Sequence, residues 1–176
     1  MKKFIKIVLP IIIVFGIFYL GYSIIQISQN KKTRDERIVH IPAFELKNMK
    51  GDIVSNTDLK QHVPVLFLYF NSECDFCQAE TEEIVANINK LEGIQIVFVS
   101  NEPIPQITAF QQKYKLDEYG NVKILCDYNY KFAELLGLKT IPSSFIYSKE
   151  GVLLSKNNGP MKVDYLLKSM KQMVNN

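Results

Sequence analysis

Apolar residues fall along this chain in three regimes. From Ile7 to Ile25 no residue carries a charge. As a helix at ~1.5 Å per residue that run covers roughly 28 Å, about the thickness of a bilayer's hydrocarbon core. Residues 28–41 are polar and without period, which reads as a tether. From residue 42 onward, short apolar runs alternate with stretches of helical spacing, the pattern of an α/β domain. Val65-Leu66-Phe67-Leu68-Tyr69-Phe70 is too short for a helix and too continuous for a half-exposed strand, so it predicts a central strand. Ile94–Ser100 predicts a second strand. Helical spacing from about Asp75 to Leu91, stopped by Gly93, joins the two as a βαβ unit.

The remaining elements follow from the same pattern. Ala43–Leu46 and Asp52–Ser55 flank Asn48-Met49-Lys50-Gly51, which predicts a hairpin, and Thr57–Lys60 a short helical turn. Ile104, Ile107, Phe110 and Tyr114 mark a helix, Val122–Cys126 a strand, and Asn129–Leu136 a helix ended by Gly137. Ser144–Ser148 and Val152–Ser155 meet around Lys149-Glu150-Gly151 with no helix between them, so they should run antiparallel. A closing helix carries Val163, Leu166, Leu167, Met170 and Met173 on one stripe, read as core packing.

The N-terminal run is preceded by a short basic segment, residues 1–6. A cleaved signal peptide is the alternative to an anchor. It needs a shorter apolar core and small residues at the cut, whereas this run ends Tyr22-Ser23-Ile24-Ile25-Gln26-Ile27. The first cysteine is residue 74, so there is no lipobox. The expected organisation is a transmembrane anchor at 7–27, a tether at 28–41 and one domain at 42–176. Flanking positive charge (Lys2, Lys3 and Lys6 against Lys31, Lys32, Arg34 and Arg37) does not decide the orientation. The net charge of +3 is small and gives no reason to expect nucleic acid.

Cys74-Asp75-Phe76-Cys77 stands where the central strand gives way to a helix. Two thiols three residues apart can close a small disulfide ring, and the first sits where a helix N-terminus favours a thiolate. Ile84, Ile88 and Leu91 lie within about 40° of Cys77 around a helix, so Cys77 belongs to the buried stripe and Cys74 to the exposed tip. That asymmetry supplies a nucleophile and a resolving thiol. Structural zinc would need two further ligands, and covalent haem a histidine at position 78, which is Gln78. No metal or cofactor is expected. An inert structural disulfide stays open. Glu73 and Asp75 flank Cys74 with charge that opposes a thiolate, which favours a reducing couple. An oxidising compartment, and so an extracytoplasmic domain, suits this chemistry. Cys126, at the end of a predicted strand, reads as a buried inert thiol, and His40 and His62 as surface residues.

With these residues in view, the chain resembles the thioredoxin superfamily over roughly residues 42–174. Within it the chain is similar to the membrane-tethered TlpA/ResA-like thiol-disulfide oxidoreductases, relatives of the AhpC/TSA proteins. The resemblance rests on the hairpin extension, the strand–CxxC–helix unit, and Thr140-Ile141-Pro142 before Ser144–Ser148. It implies a thioredoxin-like fold, a mixed central sheet flanked by helices. It also implies a cis Ile141–Pro142 bond facing the cysteines and a substrate-binding role for Ile141 and Pro142. Glu80 matches a glutamate that related reductases carry three residues after the second cysteine, with an implied role in moving a proton as Cys77 attacks. The plainer reading, that Glu80, Glu82 and Glu83 complement the helix dipole, stays open. The chain departs from the family in having Glu73 where Trp is frequent, and Leu68 where thioredoxin buries an acid.

The resemblance implies a membrane-anchored reductase of protein disulfides in the cell envelope. It would be fed by a transmembrane thiol carrier, with apocytochromes c among the clients some relatives serve. A peroxiredoxin would place Pro and Thr where this chain has Phe67 and Asn71. A copper-delivery module would want three residues between the cysteines and a later histidine, and there is none after His62. A redox-inactive scaffold is the remaining alternative.

Overall fold

The run 65–70 becomes the spine of the molecule. In the computed structural model, which describes residues 15–26, 28–29 and 36–171, β3 (Val65–Tyr69) is buried along its whole length. Leu66, Leu68 and Phe70 pack on one face of the sheet, and Val65, Phe67 and Tyr69 on the other. A strand whose side chains alternate between two covered faces must be apolar throughout, which is why no period of two is visible in it.

Seven strands form one sheet in the order β2-β1-β5-β4-β3-β6-β7. The hairpin β1 (Glu45–Lys47) and β2 (Ile53–Ser55) is antiparallel and joins the sheet through β5 (Val122–Cys126). β4 (Gln95–Ser100) runs parallel to both β3 and β5. β6 (Ser143–Tyr147) pairs antiparallel with β3, and β7 (Leu153–Asn158) with β6. On the face of Leu66 and Leu68 lie α2 (Asp75–Ala86), α3 (Ile104–Lys113) and α5 (Val163–Lys171), through Cys77, Ile84, Ile107, Phe110 and Leu166. On the other face α4 (Lys131–Leu136) brings Phe132 against Phe67 and Phe44, with ring centroids 5.2 and 5.3 Å away. This is the expected three-layer, mixed-sheet arrangement.

Two expectations meet differences, and a third falls largely outside the described residues. The helix read to Leu91 stops at Ala86, and Ile88–Leu91 form a 3-10 turn. Asn87 causes the break, because its side-chain amide donates to the Glu83 carbonyl (2.9 Å), taking the acceptor that a continuing helix would use. The domain begins at Ile38 rather than residue 42, since the chain divides into two units after Arg37. Ile38 is buried beside Tyr147, the Val39 carbonyl accepts from Leu153 N (2.8 Å), and Ile41 N donates to the Gly151 carbonyl (2.9 Å). Finally, of the expected anchor 7–27, residues 7–14 and 27 lie outside the described residues, as do 1–6, 30–35 and Met173. Residues 15–26 form a helix, α1, with Phe15, Phe18, Tyr19 and Ile24 exposed. Among the described residues no helix is long and apolar enough to cross a membrane.

Candidate active site

The ends of β3, β4 and β5 point toward one edge of the sheet, where loops rather than strands must satisfy the backbone. Ligands of open α/β sheets bind at such an edge. Here β3 gives way to Asn71-Ser72-Glu73, and Cys74 takes the N-cap position of α2 in extended conformation. No side chain caps the helix at that position. Cys74 is half-buried and Cys77, one turn on, is 1% exposed. The asymmetry expected from the helical stripe is therefore present.

Both cysteines are thiols, and Cys74 lies within hydrogen-bonding reach of the Cys77 sulfur. Burial pushes the Cys77 thiol well above the ordinary range. A hydrogen bond from the Asn71 N–H partly offsets that, while Cys74 and Glu80 push it further up. Cys77 is thus held protonated until a base approaches. Glu80 is one turn beyond it and only 5% exposed. Its Oε1 accepts from Met161 N at 3.1 Å. Burial pushes this carboxyl up to about 7, opposed by the Met161 hydrogen bond and helped by the charge of Glu83. Glu83 itself accepts from Val163 N at 3.0 Å, the first residue of α5. Glu80 is thus closed over by the segment leading into α5.

The Ile141–Pro142 peptide is cis. Register places it at the same edge: Ser143 pairs with Tyr69, so Pro142 stands beside Phe70 at the root of the cysteine loop. Pro142 is buried, its carbonyl accepts from Gly159 N (2.8 Å), and Ile141 stays exposed. The structure therefore brings Cys74, Cys77, Glu80 and Pro142 to one end of the sheet. Phe76, between the cysteines, is an apolar side chain left 64% exposed. Cys126 is buried at the end of β5, its thiol donating to the Glu102 carbonyl at 3.7 Å.

Sequence reasoning missed Ser72, Gln78 and Glu102. Glu102 is a buried acid whose carboxylate takes the N–H and the hydroxyl of Ser72 at 2.7 and 2.6 Å. An acid in a Ser-Asn-Glu-Pro turn reads as solvated, and no local signal marks its burial. A cavity of about 610 Å³ lies elsewhere, between the hairpin and α4, lined by Phe44, Lys47, Asp127 and Phe132 among others. Asp127 is committed within it, accepting from Tyr69 Oη, Phe132 N and Ala133 N. Neither Cys74 nor Cys77 lines this cavity, so it is separate from the thiol pair. Among the described residues no cluster of three His, Cys, Asp or Glu side chains could hold a metal ion.

Comparison with known proteins gives the same fold and a family. Residues 39–156 match the family model described as the AhpC/TSA family. The chain is 30% identical over 118 residues to an SCO2-like protein of Rickettsia bellii, covering 62% of this chain and 59% of that one. It is 26% identical over 110 residues to the thioredoxin-like protein SkfH of Bacillus subtilis, covering 60% and 76%. Among solved structures, a secreted Mycobacterium tuberculosis disulfide oxidoreductase homologous to E. coli DsbE superimposes with a TM-score of 0.63 at 20% identity. That superposition covers 78% of this chain and 98% of the other, a likeness of fold.

Proposed function

The chain belongs to the AhpC/TSA family, and on that footing we propose that it is a membrane-anchored thiol-disulfide oxidoreductase that reduces protein disulfides in the cell envelope. The observation that carries this reading is the unequal burial of the two thiols across one helical turn. Cys74 Sγ, as thiolate, attacks a client disulfide, forming a mixed disulfide and expelling one client thiolate, which takes up a proton. Cys77 Sγ then gives up its proton and attacks Cys74 Sγ, releasing the second client thiol and leaving Cys74–Cys77 as a disulfide. Glu80, a buried carboxyl beside Cys77, is the group that takes that proton. Ile141 and Pro142 hold the client backbone beside Cys74, and Phe76 offers it an apolar contact.

The reducing direction follows from charge. Glu73 and Asp75 flank Cys74, and no basic residue occurs between Asn71 and Asn89. Negative charge beside the reacting sulfurs, with no basic residue next to it in sequence, favours a couple that gives its electrons away. The exposed apolar side chains of α1 support anchoring through residues 7–27. The domain would then lie on the extracytoplasmic side. A transmembrane thiol carrier would re-reduce the disulfide there, and apocytochromes c are one client class. The alternative reading is metal delivery, in which both thiols would hold Cu(I), and the lack of a histidine after His62 weighs against it.

The test is reduction of insulin disulfides by the full chain in detergent micelles, with dithiothreitol as electron source. Turnover lost in Cys74→Ser supports the reductase. Inactivity of the wild type together with stoichiometric Cu(I) binding at both cysteines would replace it with the metal reading. Peroxide consumption without insulin reduction would make the chain a peroxidase.

A further inference from the structure

Glu102 has no part in the exchange steps above, yet it is only 8% exposed in the turn between β4 and α3. Its Oε2 accepts from Ser72 N (2.7 Å) and Ser100 Oγ (2.9 Å), and its Oε1 from Ser72 Oγ (2.6 Å). Its own N–H donates to Ser100 Oγ at 3.2 Å, which fixes it to the end of β4. Ser72 is held from the other side as well. Its carbonyl accepts from Gln78 Nε2 (2.8 Å), and Gln78 Oε1 accepts from Lys113 Nζ (2.9 Å) on α3. The Asn71 carbonyl accepts from Cys74 N (3.2 Å) and Asn71 Oδ1 from Glu73 N (2.9 Å). Every polar group of Ser72 is therefore bonded, two residues ahead of the reactive thiol.

We propose that Glu102 is a positioning residue for the Cys74–Cys77 couple, clamping the Ser72 turn to the end of β4 so that Cys74 is held ready to close on Cys77. The proposal rests on the dithiol reading above. Hydrogen bonds to a carboxylate are shorter and stronger than neutral ones, and a carboxylate is costly to bury, so an apolar side chain would serve mere packing better. A turn held in place in the reduced form raises the effective concentration of one thiol at the other. Oxidation forms the Cys74 Sγ–Cys77 Sγ bond and breaks both S–H bonds. Two electrons and two protons pass to the oxidant, here the cyclic disulfide of dithiothreitol, which opens to the dithiol. Releasing the turn should make that closure less favourable by roughly tenfold, a rise in potential of about 30 mV.

The experiment equilibrates the full chain, in detergent micelles, with dithiothreitol redox buffers, traps the thiols, and records thermal melts in parallel. Glu102→Ala should move the equilibrium roughly tenfold toward the dithiol. Glu102→Gln, which keeps an oxygen for Ser72, should stay within about threefold of wild type, and Ser72→Ala, which keeps the N–H, should fall between. A Glu102→Ala protein that melts earlier but keeps the wild-type equilibrium would reduce Glu102 to a structural role and overturn the proposal. Should that variant not fold, an unchanged equilibrium in Ser72→Ala overturns it equally. A wild type that forms no reversible Cys74–Cys77 disulfide would sink the dithiol reading itself, and the proposal with it. That result differs from a wild type that cycles while Glu102 is indifferent.

Discussion

Replacing Glu80 with glutamine should leave the protein's stability nearly unchanged at pH 4 and raise it at pH 8. Burial pushes the Glu80 carboxyl from its ordinary 4.5 up to about 7. Between those values the unfolded chain has lost a proton that the native state keeps, so stability falls as pH rises, and the loss is complete above about pH 7. At ~1.36 kcal/mol per pKa unit, the shift corresponds to about 3 kcal/mol. Glutamine has the shape of the neutral carboxyl, retains an oxygen for Met161 N, and does not titrate. The difference between variant and wild type should therefore open from near zero at pH 4 to about 3 kcal/mol at pH 8. Urea unfolding from pH 4 to 8.5, with excess reductant to keep both cysteines as thiols, measures it. A difference that stays flat with pH, or a variant less stable than wild type at pH 8, would refute the buried-carboxyl account. The same variant should resolve mixed disulfides more slowly, because Cys77 loses its proton acceptor.

Other consequences follow from the same geometry. Cys77→Ser should accumulate mixed disulfides through Cys74 when offered a disulfide client, whereas Cys74→Ser should trap almost none, since Cys77 is buried; non-reducing gels and mass spectrometry read both. In the reduced wild type, iodoacetamide should label Cys74 at least about tenfold faster than Cys77 or Cys126, because reactivity follows thiolate fraction and access; equal rates would contradict the assigned roles. Asp127→Ala strips the acceptor from Tyr69 Oη, Phe132 N and Ala133 N. At about 1 kcal/mol for each stranded donor it should cost roughly 3 kcal/mol, with Asp127→Asn recovering part of it in thermal melts.

How far these features could be read from the chain depends on how local their causes are. β3 was legible because a strand covered on both faces must be apolar at every position, and the run 65–70 is. Cys74 and Cys77 were legible for the same kind of reason, since three residues of separation at a strand-to-helix junction fix which thiol faces the core. The break at Asn87 was not, because a side-chain hydrogen bond to Glu83 decides it and periodicity continues through it into Ile88 and Leu91. Ile38 was missed because a single apolar residue in a polar stretch has no period, although its burial begins the domain.

Glu80 and Glu102 show where local reading ends. On α2 alone, Glu80 occupies a boundary position open to water. What buries it is Met161, 81 residues later, whose N–H reaches its carboxylate as the chain turns into α5. Glu102, in turn, is desolvated because the cysteine loop, 30 residues earlier, settles over it through Ser72. Both acids carry the composition of surface residues, and both become buried only when separate parts of the chain converge at the edge of the sheet. The thiol chemistry is therefore written in four consecutive residues. Its proton acceptor and the stiffness of its loop depend on contacts that exist only in the folded domain, so variants at these two acids should alter the couple while leaving the CxxC motif itself intact.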